Sequence, residues 1–174
     1  MSARTLKAKG FTLVEILIVV VILGILAAIV IPQFTSASES AKASSIVTQL
    51  QTIRSQIELF QIQHNGDYPL LTAATDGTAW DVLTEETNVA GSTTITAGET
   101  TYGPYLQKAP VNGFEDSSEI ILGTGTALGT AAAGSGWHYN ATTGEVKVNM
   151  AAAKAIEVGL LDTGETENDD VRGY

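Results

Sequence analysis

Lys9-Gly10-Phe11-Thr12-Leu13-Val14-Glu15 runs directly into Ile16-Leu17-Ile18-Val19-Val20-Val21-Ile22-Leu23-Gly24-Ile25-Leu26-Ala27-Ala28-Ile29-Val30-Ile31-Pro32. Of the 21 residues from Phe11 to Ile31, only Thr12, Glu15 and Gly24 fall outside the apolar set. That length of apolar helix crosses a bilayer. Glu15 is the anomaly, because an ionised carboxylate in hydrocarbon is costly until a partner meets it.

On its N-terminal side, Arg4, Lys7 and Lys9 precede the run with no acidic residue among them. Positive flanks stay cytoplasmic, so the N-terminus is expected in the cytoplasm and everything after Pro32 across the membrane. A secretory signal shares the basic start and apolar centre, but this run is longer than a signal core and holds Glu15. An ordinary membrane anchor accounts for the length and not for the carboxylate.

The stretch Lys9 to Glu15 resembles the processing site of the type IV prepilin family, which includes the pseudopilins of type II secretion. The resemblance covers the leader and first helix, about the first third of the chain. It implies that a membrane-embedded prepilin peptidase cuts between Gly10 and Phe11 and then methylates the new amino group of Phe11. It also implies that Glu15 of an incoming subunit meets the Phe11 amino group of its neighbour, removing two isolated charges from hydrocarbon together and fixing axial register. From the residues alone, Glu15 has two other partners available: its own Phe11 amino group and the free amides of the helix start. Gly24 and Pro32 are the helix-weakening positions, with a kink expected near Ile29 to Pro32. In related filaments the segment between the matching Gly and Pro loses helical order.

Beyond Pro32 the pattern stays helical and turns amphipathic, with Phe34, Ala37, Ala41, Ile46, Leu50, Ile53, Ile57 and Phe60 at spacings of three and four. Asn65-Gly66 followed by Asp67-Tyr68-Pro69 is a helix stop. A continuous helix from Phe11 to His64 would span roughly 80 Å at 1.5 Å per residue. His64, at its end, reads as a solvated cap with no chemistry.

The rest reads as a small globular domain. From Asp67 to Asn112 loops are expected, with one short helix from Thr78 or Ala79 to about Glu86 that packs Trp80 and Leu83 inward and leaves Glu85 and Glu86 in solvent. Gly103-Pro104-Tyr105-Leu106-Gln107-Lys108-Ala109-Pro110 is similar to the middle of the major pseudopilins, with Tyr105 and Leu106 as anchors; Val111-Asn112-Gly113-Phe114 departs from the Asp-Pro-Trp-Gly common in that group. Ser118 to Leu122 is a candidate strand, and Gly123 to Gly136 a small-residue loop. Trp137-His138-Tyr139-Asn140 and Glu145-Val146-Lys147-Val148-Asn149 alternate around Ala141-Thr142-Thr143-Gly144 as a β-hairpin. Trp137, Tyr139, Val146 and Val148 face the helix in this reading, with His138 and Lys147 outward. The fold class is α+β: a long protruding N-terminal helix, membrane-spanning in its first half and amphipathic in its second, packed on a small antiparallel sheet. The divisions are 1–10 leader, 11–32 transmembrane and polymerisation helix, 33–65 amphipathic continuation, and 66–174 periplasmic domain with an acidic tail.

The chain carries 19 acidic against 9 basic side chains, a net charge of −10 that becomes −13 if Arg4, Lys7 and Lys9 leave with the leader. Nucleic acid is not an expected partner. With no cysteine and two histidines, no nucleophile, metal or phosphate-loop constellation stands out, and the chain is not read as an enzyme. Major pseudopilins often bind calcium near the C-terminus, which directs attention to Asp162, Glu165, Glu167, Asp169 and Asp170. These show no calcium-loop spacing and read as a solvated tail, so no metal site or cofactor is assigned. The function implied by the resemblance is a structural subunit that polymerises with itself and other pseudopilins, on an inner-membrane assembly platform, into a periplasmic fibre of type II secretion. The alternatives are a type IV pilin of a surface filament and a membrane-anchored binding module.

Overall fold

In the computed structural model, residues 10–73, 78–123 and 134–161 are described. Leader residues 1–9, most of the 123–136 loop and the acidic residues from 162 onward lie outside them. The chain divides into two compact units, Met1–Glu39 and Ser40–Tyr174.

The first unit is the start of α1 (Leu13–Gln63), an α-helix that runs unbroken through Gly24 and Pro32. Its large apolar side chains, from Leu13 to Ile31, are all exposed. Phe34 is 71% exposed, and Ala37 and Ala41 are exposed too. The expected stripe therefore begins later, at Ala43.

In the second unit α1 buries Ala43, Ile46, Leu50, Ile53, Ile57 and Phe60. The alternating three and four residue spacing keeps these on one side of a 3.6-residue helix. They join Trp80, Leu83, Trp137, Tyr139, Val146 and Met150 in one core, where each fully buried large apolar side chain contributes about 1.5–3 kcal/mol. The helix ends as its sequence directs. Asn65 takes φ 58° and Gly66 φ 95°, and Gly66 N donates to Gln61 O at 2.9 Å, a six-to-one closure that satisfies a terminal carbonyl.

A 3-10 turn (Thr78–Trp80) leads into α2 (Asp81–Thr84), with Trp80 and Leu83 buried as expected and Glu85 and Glu86 exposed. The following stretch is not loop alone. β1 (Thr87–Asn88) pairs antiparallel with β2 (Thr101–Tyr102). Between them Asn88 Oδ1 accepts from Ala90 N and Ser92 N, both at 3.1 Å, while Glu99 Oε2 accepts from Asn88 Nδ2 at 3.1 Å and Thr96 N at 3.0 Å.

These donors lower the Glu99 pKa below its ordinary value, the Thr96 amide first and Asn88 second. A depressed carboxylate pKa stabilises the folded loop above the unfolded value, and that contribution disappears as pH falls through the folded one. Amide exchange at Thr96, corrected for intrinsic rate, is therefore expected to accelerate on acidification below the ordinary carboxylate range and to become pH-insensitive there in Glu99→Gln.

The Gly103-Pro104-Tyr105-Leu106 loop is anchored as expected: Tyr105 N and Leu106 N both donate to Leu83 O at 2.8 Å, and Tyr105 Oη donates to Gln63 Oε1 at 2.6 Å. The sheet has the order β3 (Ile120–Leu122), β4 (Trp137–Asn140), β5 (Glu145–Val148). The β4–β5 hairpin is antiparallel, pairing Trp137 with Val148 and Tyr139 with Val146, and β3 adds in parallel. Trp137, Tyr139, Val146 and Val148 point into the core. His138 does not face solvent: it is buried, and its Nε2 lies 3.0 Å from Asn149 Oδ1. β4 is the central strand, and Asn149, just after β5, donates from its backbone N to Gly136 O at 2.9 Å. α3 (Ala152–Glu157) follows, and Leu160 and Leu161 close the core after it.

His64 is the larger correction. Three and four residue steps through Ile57 and Phe60 put it next on the buried stripe, and it is 1% exposed. Its ring stacks on Phe60 at 3.7 Å between centroids. Nδ1 lies 2.8 Å from Phe60 O and Nε2 3.0 Å from Thr87 Oγ1. A carbonyl oxygen only accepts, so Nδ1 carries a proton and donates to Phe60 O, while Nε2 is hydrogen-bonded to the Thr87 hydroxyl. His64→Leu leaves buried polar partners unmet and is expected to lower stability by about 2 kcal/mol. Urea unfolding followed by tryptophan fluorescence reads this directly, because Trp80 and Trp137 are both fully buried here.

Candidate processing and assembly site

The residues singled out at the N-terminus meet at the first turn of α1. Gly10 and Phe11 precede the helix, both exposed, so their peptide bond is not part of the helical hydrogen-bond ladder. Thr12 N and Thr12 Oγ1 each lie 3.2 Å from Glu15 Oε2, and Glu15 N donates to Thr12 Oγ1 at 3.2 Å. This is a capping box, in which a threonine and a glutamate three residues later satisfy each other's free helix-start groups. Among the described residues Glu15 meets the free groups of its own helix start; with Gly10 attached, Phe11 carries no free amino group. Thr12 was not singled out in the sequence, although the Thr12-x-x-Glu15 spacing was there to read.

The contact uses one carboxylate oxygen. Oε1 makes no hydrogen bond among the described residues, and Glu15 is exposed. Removing residues 1–10 would leave the Thr12 to Glu15 box intact and place a charged amine on Phe11, one residue before it.

Further along, a Cβ on Gly24 would meet nothing within 4 Å, so no packing within the chain requires glycine there. Pro32 lacks an amide hydrogen and leaves the carbonyl four residues before it without that donor. Next to it Thr35 Oγ1 donates to Ile31 O at 3.2 Å, the backbone-directed bond that Ser and Thr make inside helices. No set of three or more His, Asp or Glu side chains able to hold a metal occurs among the described residues.

Residues 5–31 match the family model described as the prokaryotic N-terminal methylation motif. Over its N-terminal third this chain is similar to subunits of type II secretion and of type IV pili. It is 36% identical over 63 residues to type II secretion system core protein G of Dickeya chrysanthemi, covering 36% of this chain and 40% of that one. Core protein G of Pseudomonas aeruginosa is 43% identical over 63 residues, 36% of this chain and 44% of that one. The type IV narrow pilus major component of Thermus thermophilus is 38% identical over 61 residues, 35% of this chain and 53% of that one. The matches thus span about two fifths to one half of these relatives' lengths. No solved structure matches the chain. α1 is the one helix among the described residues long and apolar enough to cross a bilayer.

Proposed function

We propose that this chain is a pseudopilin: a structural subunit, not an enzyme, that prepilin peptidase cuts between Gly10 and Phe11 and N-methylates at Phe11. It then polymerises through α1, with other pseudopilins, into a periplasmic fibre of a type II secretion system. In this reading it sits in the inner membrane with its N-terminus cytoplasmic, and its second unit lies in the periplasm. It is loaded into the fibre by the inner-membrane assembly platform.

The observation that carries the reading is the unburied apolar run of α1. Those side chains need lipid before assembly and neighbouring helices after it. Glu15 is set at the head of that run, with Oε1 open to the Phe11 amino group of the next subunit. Gly24 and Pro32, the helix-weakening positions of a helix that is unbroken in the free subunit, bound the segment that would give up helical order on assembly.

A second reading, a surface type IV pilin, draws on the similarity to the Thermus pilus component. Deleting the gene separates the two. Loss of exported folded protein with normal surface filaments supports the secretion fibre. Loss of surface filaments with normal export supports the pilus, and loss of neither contradicts both.

A further inference from the structure

We propose that the acidic segment 162–174 docks back onto its own second unit, in the groove between α1 and residues 106–111. The groove measures about 310 Å³, and its lining includes the apolar Ile53, Leu106, Pro110 and Val111 together with Thr48 and Lys108. An apolar lining that also holds a lysine calls for an occupant with both apolar and acidic side chains. The segment 162–174 offers five carboxylates against one arginine, with Val171 and Tyr174 among them.

The charge pattern of the second unit points to Lys108. Among the described residues, Arg54 donates to Val146 O, Lys147 pairs with Glu145 and Lys154 with Glu157, and Lys42 lies over the Phe114 ring. Lys108 alone is left without an ion pair or ring contact there. It is the open positive charge on an acidic surface.

Chain geometry favours the tethered segment over a separate acidic partner. Thr48 borders both this groove and the adjoining cavity lined by Val158, Gly159 and Leu160. The segment therefore starts one cavity away from the groove, and its 13 residues reach up to about 45 Å when extended. Tethering at that range supplies an effective concentration of about a millimolar, which a weak contact can use.

Because the chain has no cysteine, introduced pairs report cleanly. In the full chain in detergent micelles, Val111→Cys with Tyr174→Cys is expected to form an intramolecular disulfide at least roughly tenfold faster than Thr143→Cys with Tyr174→Cys, which samples a different cavity. Adding Lys108→Glu to the first pair is expected to slow it about fivefold. Equal rates for the two pairs, insensitivity to Lys108→Glu, or bonds formed only between chains would overturn the proposal.

Discussion

Glu15→Ala is expected to leave cleavage after Gly10 intact while reducing filament yield by roughly a hundredfold, since leaving a partner charge unpaired in a buried setting costs about 3 kcal/mol. The variant loses two things at once, and they separate by magnitude. Its share of the capping box with Thr12 accounts for about 1 kcal/mol of helix-start stability. Thr12→Ala removes the same box and keeps the carboxylate, so it is expected to retain most assembly. Glu15→Gln preserves the box and removes the charge, so it should assemble nearly as poorly as Glu15→Ala. Immunoblots of sheared or detergent-extracted filaments, alongside the processed and unprocessed subunit, give both readouts. If Thr12→Ala were as defective as Glu15→Ala, Glu15 would be acting through the helix start alone and the charge-pairing account would fail.

The second large effect is expected at Gly136. A Cβ there would collide with Ser117 O and stand 3.3 Å from Asn112 Cβ, and the backbone is held on both sides. Gly136 N donates to Glu119 O at 2.9 Å, while its carbonyl accepts from Asn149 N at 2.9 Å and Asn112 Nδ2 at 3.0 Å. Relaxing the clash therefore breaks bonds to buried groups. Gly136→Ala is expected to cost about 3 kcal/mol or more, seen as a lower urea midpoint by tryptophan fluorescence. Gly113→Ala is the comparison: its nearest neighbour would be Lys42 Cγ at 3.7 Å, an ordinary contact, and its midpoint should barely move. A parental midpoint for Gly136→Ala would contradict the packing described around Asn112.

The long helix was legible because two periodicities write it: a continuous apolar run, then steps of three and four from Ile46 to Phe60. The hairpin was legible because Trp137, Tyr139, Val146 and Val148 alternate on both sides of a four-residue turn. His64 was misread for a physical reason. An imidazole at a helix end is usually wet, yet the same three-and-four spacing that placed Phe60 also places His64 against Thr87 and the Phe60 ring. His138 was misread because alternation alone does not reveal that a strand is central and covered on its second face. β1 and β2 are two residues each, too short for any period-two signal, and the direction of β3 depends on a long connection that carries no turn signature. Asn112 stood out only as a departure from a familiar pattern. Its role as a buried hub, donating to Gly136 O and Asn149 O and accepting from Phe114 N, depends on residues far away in sequence. At the candidate processing and assembly site the sequence drew attention to Gly10, Phe11 and Glu15, and the geometry adds Thr12 as a partner of Glu15.

The account rests on a helix that begins its mature life at Phe11. The mass of the N-terminal peptide from protein recovered in assembled filaments tests this most directly. The expected peptide begins at Phe11, lacks residues 1–10 and carries one added methyl group on its amino nitrogen. A filament-derived peptide that still contains Lys9 and Gly10 ahead of Phe11 would contradict it.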